Sequence, residues 1–216
     1  MSSSSPPRAG VPRPPDRLDC SVFTLSKGSL VHRIHDERFS SRSFNPGFGA
    51  SRFAPFESGG AKVPTAYAAT SLPCAIFETI FHDVEAGAAF KSVSWSALEM
   101  LRHSTLELTR DLRLAQLFSA DLMRWGVERS QLIDTPKSAY SATRAWSPPI
   151  HDSPQAPDGL VWISRKFDEE KALMLFGTRV QDADLRSVGS AEVTTDRACL
   201  GAIMDLASRA GIIIAR

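Results

Sequence analysis

Three polar residues stand where their types could do chemistry: Arg33, Glu78 and Ser164. Arg33 follows Leu30-Val31-His32 and precedes a stretch rich in Gly, Pro and Ser. A guanidinium at a strand end, before such a loop, has the planar fork that grips a diphosphate bidentately. The plainer reading is a surface arginine or a salt bridge at the core edge. Glu78 sits within Ala75-Ile76-Phe77-Glu78-Thr79-Ile80-Phe81. An unpaired carboxylate is costly to bury, so this one either reaches an open cleft or has a partner. In a cleft it could stabilise positive charge on a reacting sugar or accept hydrogen bonds from sugar hydroxyls. The alternative is a half-exposed helical glutamate. Ser164 ends Val161-Trp162-Ile163-Ser164 and lacks the G-x-S-x-G elbow of a serine nucleophile. It reads as a substrate-orienting hydroxyl or as an ordinary serine at a strand end.

Around these lie weaker candidates. Arg52, in Phe48-Gly49-Ala50-Ser51-Arg52-Phe53, could meet an anion beside backbone N–H groups freed by glycine, or could belong to a local turn. Tyr67 and Tyr140 are the only tyrosines; each could stack on a ligand ring or pack in the core. His82 lies four residues after Glu78, where a Glu–His pair would permit acid–base work. His82 and His32 read mainly as structural, and His35 stays undecided. No metal-ligand spacing occurs among the five histidines, and none of the three cysteines lies in a CxxC pair. Neither a metal site nor a disulfide framework is expected, and Cys74 and Cys199 read as small buried hydrophobes.

The elements that must position these groups are short and mixed. A strand is expected over 29–34, then a long loop or very short strands over 35–64, then a strand over 65–69. Ser71 can cap a helix over roughly 72–84, in which Ile76, Phe77, Ile80, Phe81 and Val84 form the apolar stripe. Cys74, Glu78 and His82 then share another face. Further strands are expected at 90–95, 105–109, 160–164, 172–176, 186–194 and 211–215. Helices are expected near 119–125, over 134–145 with an interruption at Pro148-Pro149, and over 197–209 behind Asp196. The pattern is α+β and not a regular βαβ repeat, which makes a single compact domain over 18–216. Residues 1–17, rich in Ser, Pro and Arg, read as a flexible arm.

Composition narrows the classes. With 43% hydrophobic residues in 216, the chain can bury one sizeable core. A formal net charge of +1 supplies no broad field for DNA or RNA, so no direct nucleic-acid partner is expected. No segment reaches the length of a membrane span and no secretory signal is visible, so a cytoplasmic location is expected. A homo-oligomer stays open.

Several segments together carry a resemblance: Leu30-Val31-His32-Arg33; Asn45-Pro46-Gly47 with Arg52-Phe53; Ala66-Tyr67-Ala68 followed by Ala75-Ile76-Phe77-Glu78; and Asp158-Gly159-Leu160 through Ser164, followed by Leu175-Phe176-Gly177. In this order the chain resembles the RES-domain family over roughly 28–190. The resemblance implies an ADP-ribosyltransferase-like fold and NAD⁺ as substrate rather than as a prosthetic group. It implies nicotinamide as leaving group, with water or inorganic phosphate as acceptor. It also implies the toxin half of a toxin–antitoxin pair, whose antitoxin partner is an Xre-like helix-turn-helix protein. By the same resemblance Arg33 positions phosphate, Arg52 is a second anion-binding residue, Tyr67 belongs to the nicotinamide pocket, Glu78 is the catalytic carboxylate and Ser164 orients substrate. Many members carry Tyr where this chain has Ile34. A protein mono-ADP-ribosyltransferase and a noncatalytic nucleotide-binding partner are the competing readings.

Overall fold

The apolar runs near 160 and 172 have no polar face because both faces of their strands are covered. In the computed structural model, which describes residues 10–216, they are neighbours in the middle of an eight-stranded sheet. The strands are β1 (Val22–Leu25), β2 (Leu30–Asp36), β3 (Glu57–Ser58), β4 (Ala61–Lys62), β5 (Thr65–Ala69), β6 (Ser92–Ser94), β7 (Leu101–Leu108), β8 (Leu112–Gln116), β9 (Gly159–Ile163), β10 (Lys171–Phe176), β11 (Leu185–Glu192) and β12 (Ile213–Ala215). The main sheet runs β1-β8-β9-β10-β5-β2-β7-β11, antiparallel except at β8–β9. Two-stranded pairs form from β3 with β4 and from β12 with β6. Along β9 and β10, Leu160, Trp162, Ala172, Met174 and Phe176 join one core cluster, and Val161, Leu173 and Leu175 join the cluster on the opposite face. This is period-two alternation with apolar residues on both sides.

The helices are α1 (Leu72–Thr79), α2 (Trp95–Glu99), α3 (Ser119–Arg124), α4 (Arg129–Leu132), α5 (Tyr140–Thr143), α6 (Ser147–His151) and α7 (Arg197–Ala210). α1 packs on β2, β5 and β10 and against α7. Ser71 caps it by accepting from the Cys74 amide at 3.3 Å, as expected. Asp196 caps α7 through the amides of Ala198 and Cys199, and Gly211 closes it in the left-handed conformation at φ 66°. Gly159 is required for another reason: a Cβ there would lie 2.2 Å from the Met174 carbonyl oxygen. The preceding Asp158 holds this strand start, accepting from both Arg110 Nη atoms at 2.9 Å and from the Arg113 amide at 2.8 Å.

The α+β class and the single domain with mixed short strands and flanking helices stand. Three local expectations do not. α1 ends at Thr79 rather than near 84, because the chain leaves helical register when the Phe81 amide bonds to the Ile76 carbonyl; His82 therefore lies in the turn beyond. The helix expected over 134–145 is a broken series in which 3₁₀ turns (137–139 and 144–146) alternate with α5 and α6. Pro148-Pro149 does not interrupt it but opens α6, where the missing amides are free of cost. Residues 10–12, expected in the flexible arm, are held to the domain. The Gly10 carbonyl accepts from Gln131, the Pro12 carbonyl accepts from Trp146 Nε1 at 2.9 Å, and Val11 packs on the core. The rest of the expected arm up to residue 9 lies outside the described residues.

Candidate active-site cleft

The sheet comes apart at one place. β2 follows β7 in register from Leu30↔Glu107 to Asp36↔Leu101, and β5 follows β10 from Thr65 to Ala69. Between β2 and β5, however, only His32 and Ala69 pair. Beyond that pair the two strands diverge, and a cavity of about 300 Å³ opens between them. That volume is at the lower end of the range for small-molecule sites. Arg33 reaches it from β2, Tyr67 from β5, Arg52 from the glycine-rich loop and Glu78 from α1.

Arg33 is 8% exposed, and its Nη1 donates to the Ser41 carbonyl at 2.6 Å. Its Nε is buried without a partner, and no carboxylate pairs with it among the described residues. Burial lowers its pKa to about 10, which leaves it cationic at neutral pH. A buried cation without a counter-charge is costly, and an incoming anion would relieve that cost.

Glu78 faces the cavity from the last turn of α1. Its Oε1 accepts the Ser164 hydroxyl proton at 2.6 Å. Ser164 is fully buried, does not line the cavity, and accepts in turn from the Lys166 and Phe167 amides at 3.2 and 3.0 Å. The expected substrate-orienting hydroxyl is thus placed behind Glu78, where it fixes the carboxylate. Those two amides fix the hydroxyl's lone pairs, so its proton points at Glu78.

Arg52 is also buried, but its Nη1 is committed to the carbonyls of Leu132 and Thr135 and to Thr135 Oγ1 at 2.5 Å. Its guanidinium lies 5.2 Å from the Tyr140 ring centroid. It braces the residues after α4 while bringing positive charge to the cavity wall. The Tyr67 hydroxyl bonds Ser51 Oγ at 2.8 Å and accepts from the Phe53 amide, holding the glycine-rich loop; burial pushes its pKa up to about 12. Asn45 shapes the same loop by accepting from the amides of Gly47 and Phe48, and it bridges to Thr65 through the backbone. A second hollow of about 230 Å³ lies under this loop and shares Ala50, Ser51 and Tyr67 with the first.

Two histidine chains reach the cavity that the sequence reading took as mainly structural. On one side His82 Nδ1 donates to Asp83 Oδ1 at 2.7 Å, and His82 Nε2 meets the Tyr140 hydroxyl at 3.0 Å. Lys137 Nζ holds the other Asp83 oxygen at 2.5 Å. On the other side Asp196 meets His103 Nδ1 at 3.4 Å, and His103 Nε2 meets His32 Nδ1 at 3.1 Å. Burial, then the neighbouring His103, lowers the His32 pKa. The four-residue spacing from Glu78 to His82 was the one sequence signal; Asp83, Lys137 and His103 had none. His35 does not line the cavity and is held by Ser104 and the Asp36 carbonyl. Among the described residues no group of three or more His, Cys, Asp or Glu is placed to hold a metal ion, and no helix is long and apolar enough to cross a membrane. All three cysteines are free and buried.

A family model described as the RES domain matches residues 30–196. No curated protein matches the chain. Among solved structures the chain is similar to one in the crystal structure of the M. tuberculosis MbcT–MbcA toxin–antitoxin complex. The two share 18% identity with a TM-score of 0.55, over 78% of this chain and 86% of that chain. This likeness is one of fold.

Proposed function

The chain belongs to the RES-domain family, and we propose that it cleaves NAD⁺ at the nicotinamide–ribose bond, passing ADP-ribose to water or inorganic phosphate. The observation that carries this reading is the pairing of opposite charges in one cleft: a buried arginine with no counter-ion among the described residues and a carboxylate fixed by a buried serine. NAD⁺ carries an anionic diphosphate and a cationic pyridinium, so it can answer both.

In this reading Arg33 holds the diphosphate, and Arg52 adds positive charge beside it. Glu78 faces the ribose. As the C–N bond stretches, positive charge spreads over the sugar ring, and the carboxylate stabilises it more than it stabilises the ground state. No acid is needed, because nicotinamide leaves as a neutral ring. Ser164 keeps Glu78 from rotating, so little reorganisation is left for the reacting moment. Tyr67 walls the nicotinamide side. The adjoining hollow gives room for the second half of a dinucleotide.

The solved toxin–antitoxin complex supports extending the reading to biology: a toxin that depletes NAD⁺ in the cytoplasm and is checked by an Xre-like helix-turn-helix antitoxin covering the cleft. The test of chemistry is to incubate purified protein with NAD⁺, with and without phosphate, and identify every product by mass spectrometry. Free nicotinamide with ADP-ribose or its phosphate is expected; folded protein that releases none refutes the reading. Co-purification with the product of the neighbouring gene tests the partner, and a bound partner that leaves turnover untouched refutes the covering role.

A further inference from the structure

We propose that His82, oriented by Asp83 and reached through Tyr140, is the general base that activates water as the acceptor in this cleft. The inference rests on the NAD⁺-cleaving reading and decides what that reading left open.

The proton positions follow from the partners. A carboxylate can only accept, so His82 Nδ1 carries the proton donated to Asp83 Oδ1 at 2.7 Å. Nε2 is then the lone pair of a neutral imidazole, and the Tyr140 hydroxyl donates to it at 3.0 Å. Burial raises the pKa of Tyr140, so the phenol keeps its proton at neutral pH and can both give and receive one. His82, Asp83, Tyr140 and Glu78 all line the same cavity. The order carboxylate–imidazole–hydroxyl is the arrangement that lets a hydroxyl be deprotonated at neutral pH.

The step balances as follows. The bond from the ribose anomeric carbon to nicotinamide breaks, and its electron pair goes to the ring nitrogen. A water oxygen bonds to that carbon. The water proton passes to the Tyr140 oxygen while the Tyr140 proton passes to His82 Nε2. Asp83 steadies the imidazolium until solvent takes the proton.

The charges around His82 favour it over the other candidate. Asp83 is adjacent and anionic, its pKa lowered by hydrogen bonds from Lys137 and His82 against burial that raises it. Glu78 lies on the preceding turn, Lys137 donates to Asp83, and the charges of Arg52 and Arg165 act on Tyr140. Lys166, whose field reaches Asp83 and Glu78, adds one more cation. His32 has instead a second imidazole as its neighbour, and its charged form is disfavoured by burial and by His103. Phosphate, already anionic, would need no base at all, so a built base points to water.

The test measures nicotinamide release and products from wild type, His82→Gln, Tyr140→Phe, Asp83→Asn and His32→Gln, with water alone, with inorganic phosphate and with azide as a second anionic acceptor. Wild type is expected to form ADP-ribose without phosphate. With water as acceptor His82→Gln should lose about 10²-fold, the usual scale for a general base, with NAD⁺ affinity unchanged. Tyr140→Phe and Asp83→Asn should show smaller losses of the same kind, and azide should restore release in all three. Release only with phosphate, full activity of His82→Gln, or an equal water-specific loss in His32→Gln would overturn the base while leaving the NAD⁺ reading intact. No nicotinamide from wild type with any acceptor would remove both.

Discussion

Ser164→Ala deletes one oxygen from a fully buried site and leaves no cavity worth filling, so its cost is nearly all hydrogen bonding. The lost donor bond goes to a charged oxygen at 2.6 Å, and the Lys166 and Phe167 amides lose their acceptor. A bond to a charged group contributes about 1.5–3 kcal/mol, and each buried unsatisfied donor costs about 1–3 kcal/mol. Lys166 and Phe167 are half-buried residues, so the total should be about 2–3 kcal/mol, within the usual range for losing part of a buried network. For a chain of this length that lowers Tm by roughly 4–12 °C. Turnover should fall about 10-fold or more as Glu78 loses its fixed orientation, while NAD⁺ affinity changes less. The decisive measurement is the cycle with Glu78→Gln, read as nicotinamide release. If Ser164 acts through Glu78, alanine at 164 should cost little further once the carboxylate has gone. Independent, additive losses in the double variant, or full turnover in Ser164→Ala, would show that the serine does something else.

Three other outcomes are expected. Arg33→Ala should weaken NAD⁺ binding at least tenfold in calorimetric titration while leaving Tm unchanged or raised, because it removes a buried, unpaired charge; Arg33→Lys should rescue poorly, lacking the planar fork, and unaltered affinity would discard the diphosphate role. Burial lowers the pKa values of His32 and His35, so the unfolded chain takes up protons first as pH falls below 6.5. Stability should therefore be full above that range and decline through it, measured as urea midpoints at pH 7.5 and 5.5; a His32→Gln/His35→Gln variant with the same decline would contradict this. Gly159→Ala should destabilise by about 3 kcal/mol or more, since its Cβ would overlap the Met174 carbonyl, and a variant that melts like wild type would show that β9 and β10 can separate freely.

The parts of the fold legible in the sequence were those whose pattern is local. β5, β9, β10 and α7 were expected within two residues at either end, because apolar runs and caps mark them. β1 and β8 went unread although Leu112 and Leu114 alternate with Arg113; four or five residues give too little period to separate strand from loop. The segment after Asp134 misled because helical propensity there is real. Pro136 and the long-range bonds of Arg52 to Leu132 and Thr135 break it, and no local pattern announces a bond across eighty residues. The same holds in the site. Burial cost alone singled out Glu78, whereas Tyr140 joins His82 across 58 residues and Lys137 joins Asp83 across 54.

Arg33 and Glu78 line one cavity, yet no ion pair joins them, and that separation needs a physical cause. Opposite charges in a poorly solvated cleft attract strongly, and a direct pair would close the site. What prevents it is that each is tied to a neutral group on its own wall: Arg33 to the Ser41 carbonyl, Glu78 to the Ser164 hydroxyl. The split between β2 and β5 sets the walls apart. Ile34 contributes packing in the α1-side core and offers neither charge a hydrogen bond. The Tyr67 hydroxyl, already bound to Ser51 and Phe53, cannot bridge them either. Neutral restraints on both walls therefore preserve two unmet charges of opposite sign, and the ligand that satisfies both must carry an anion and a cation within one molecule.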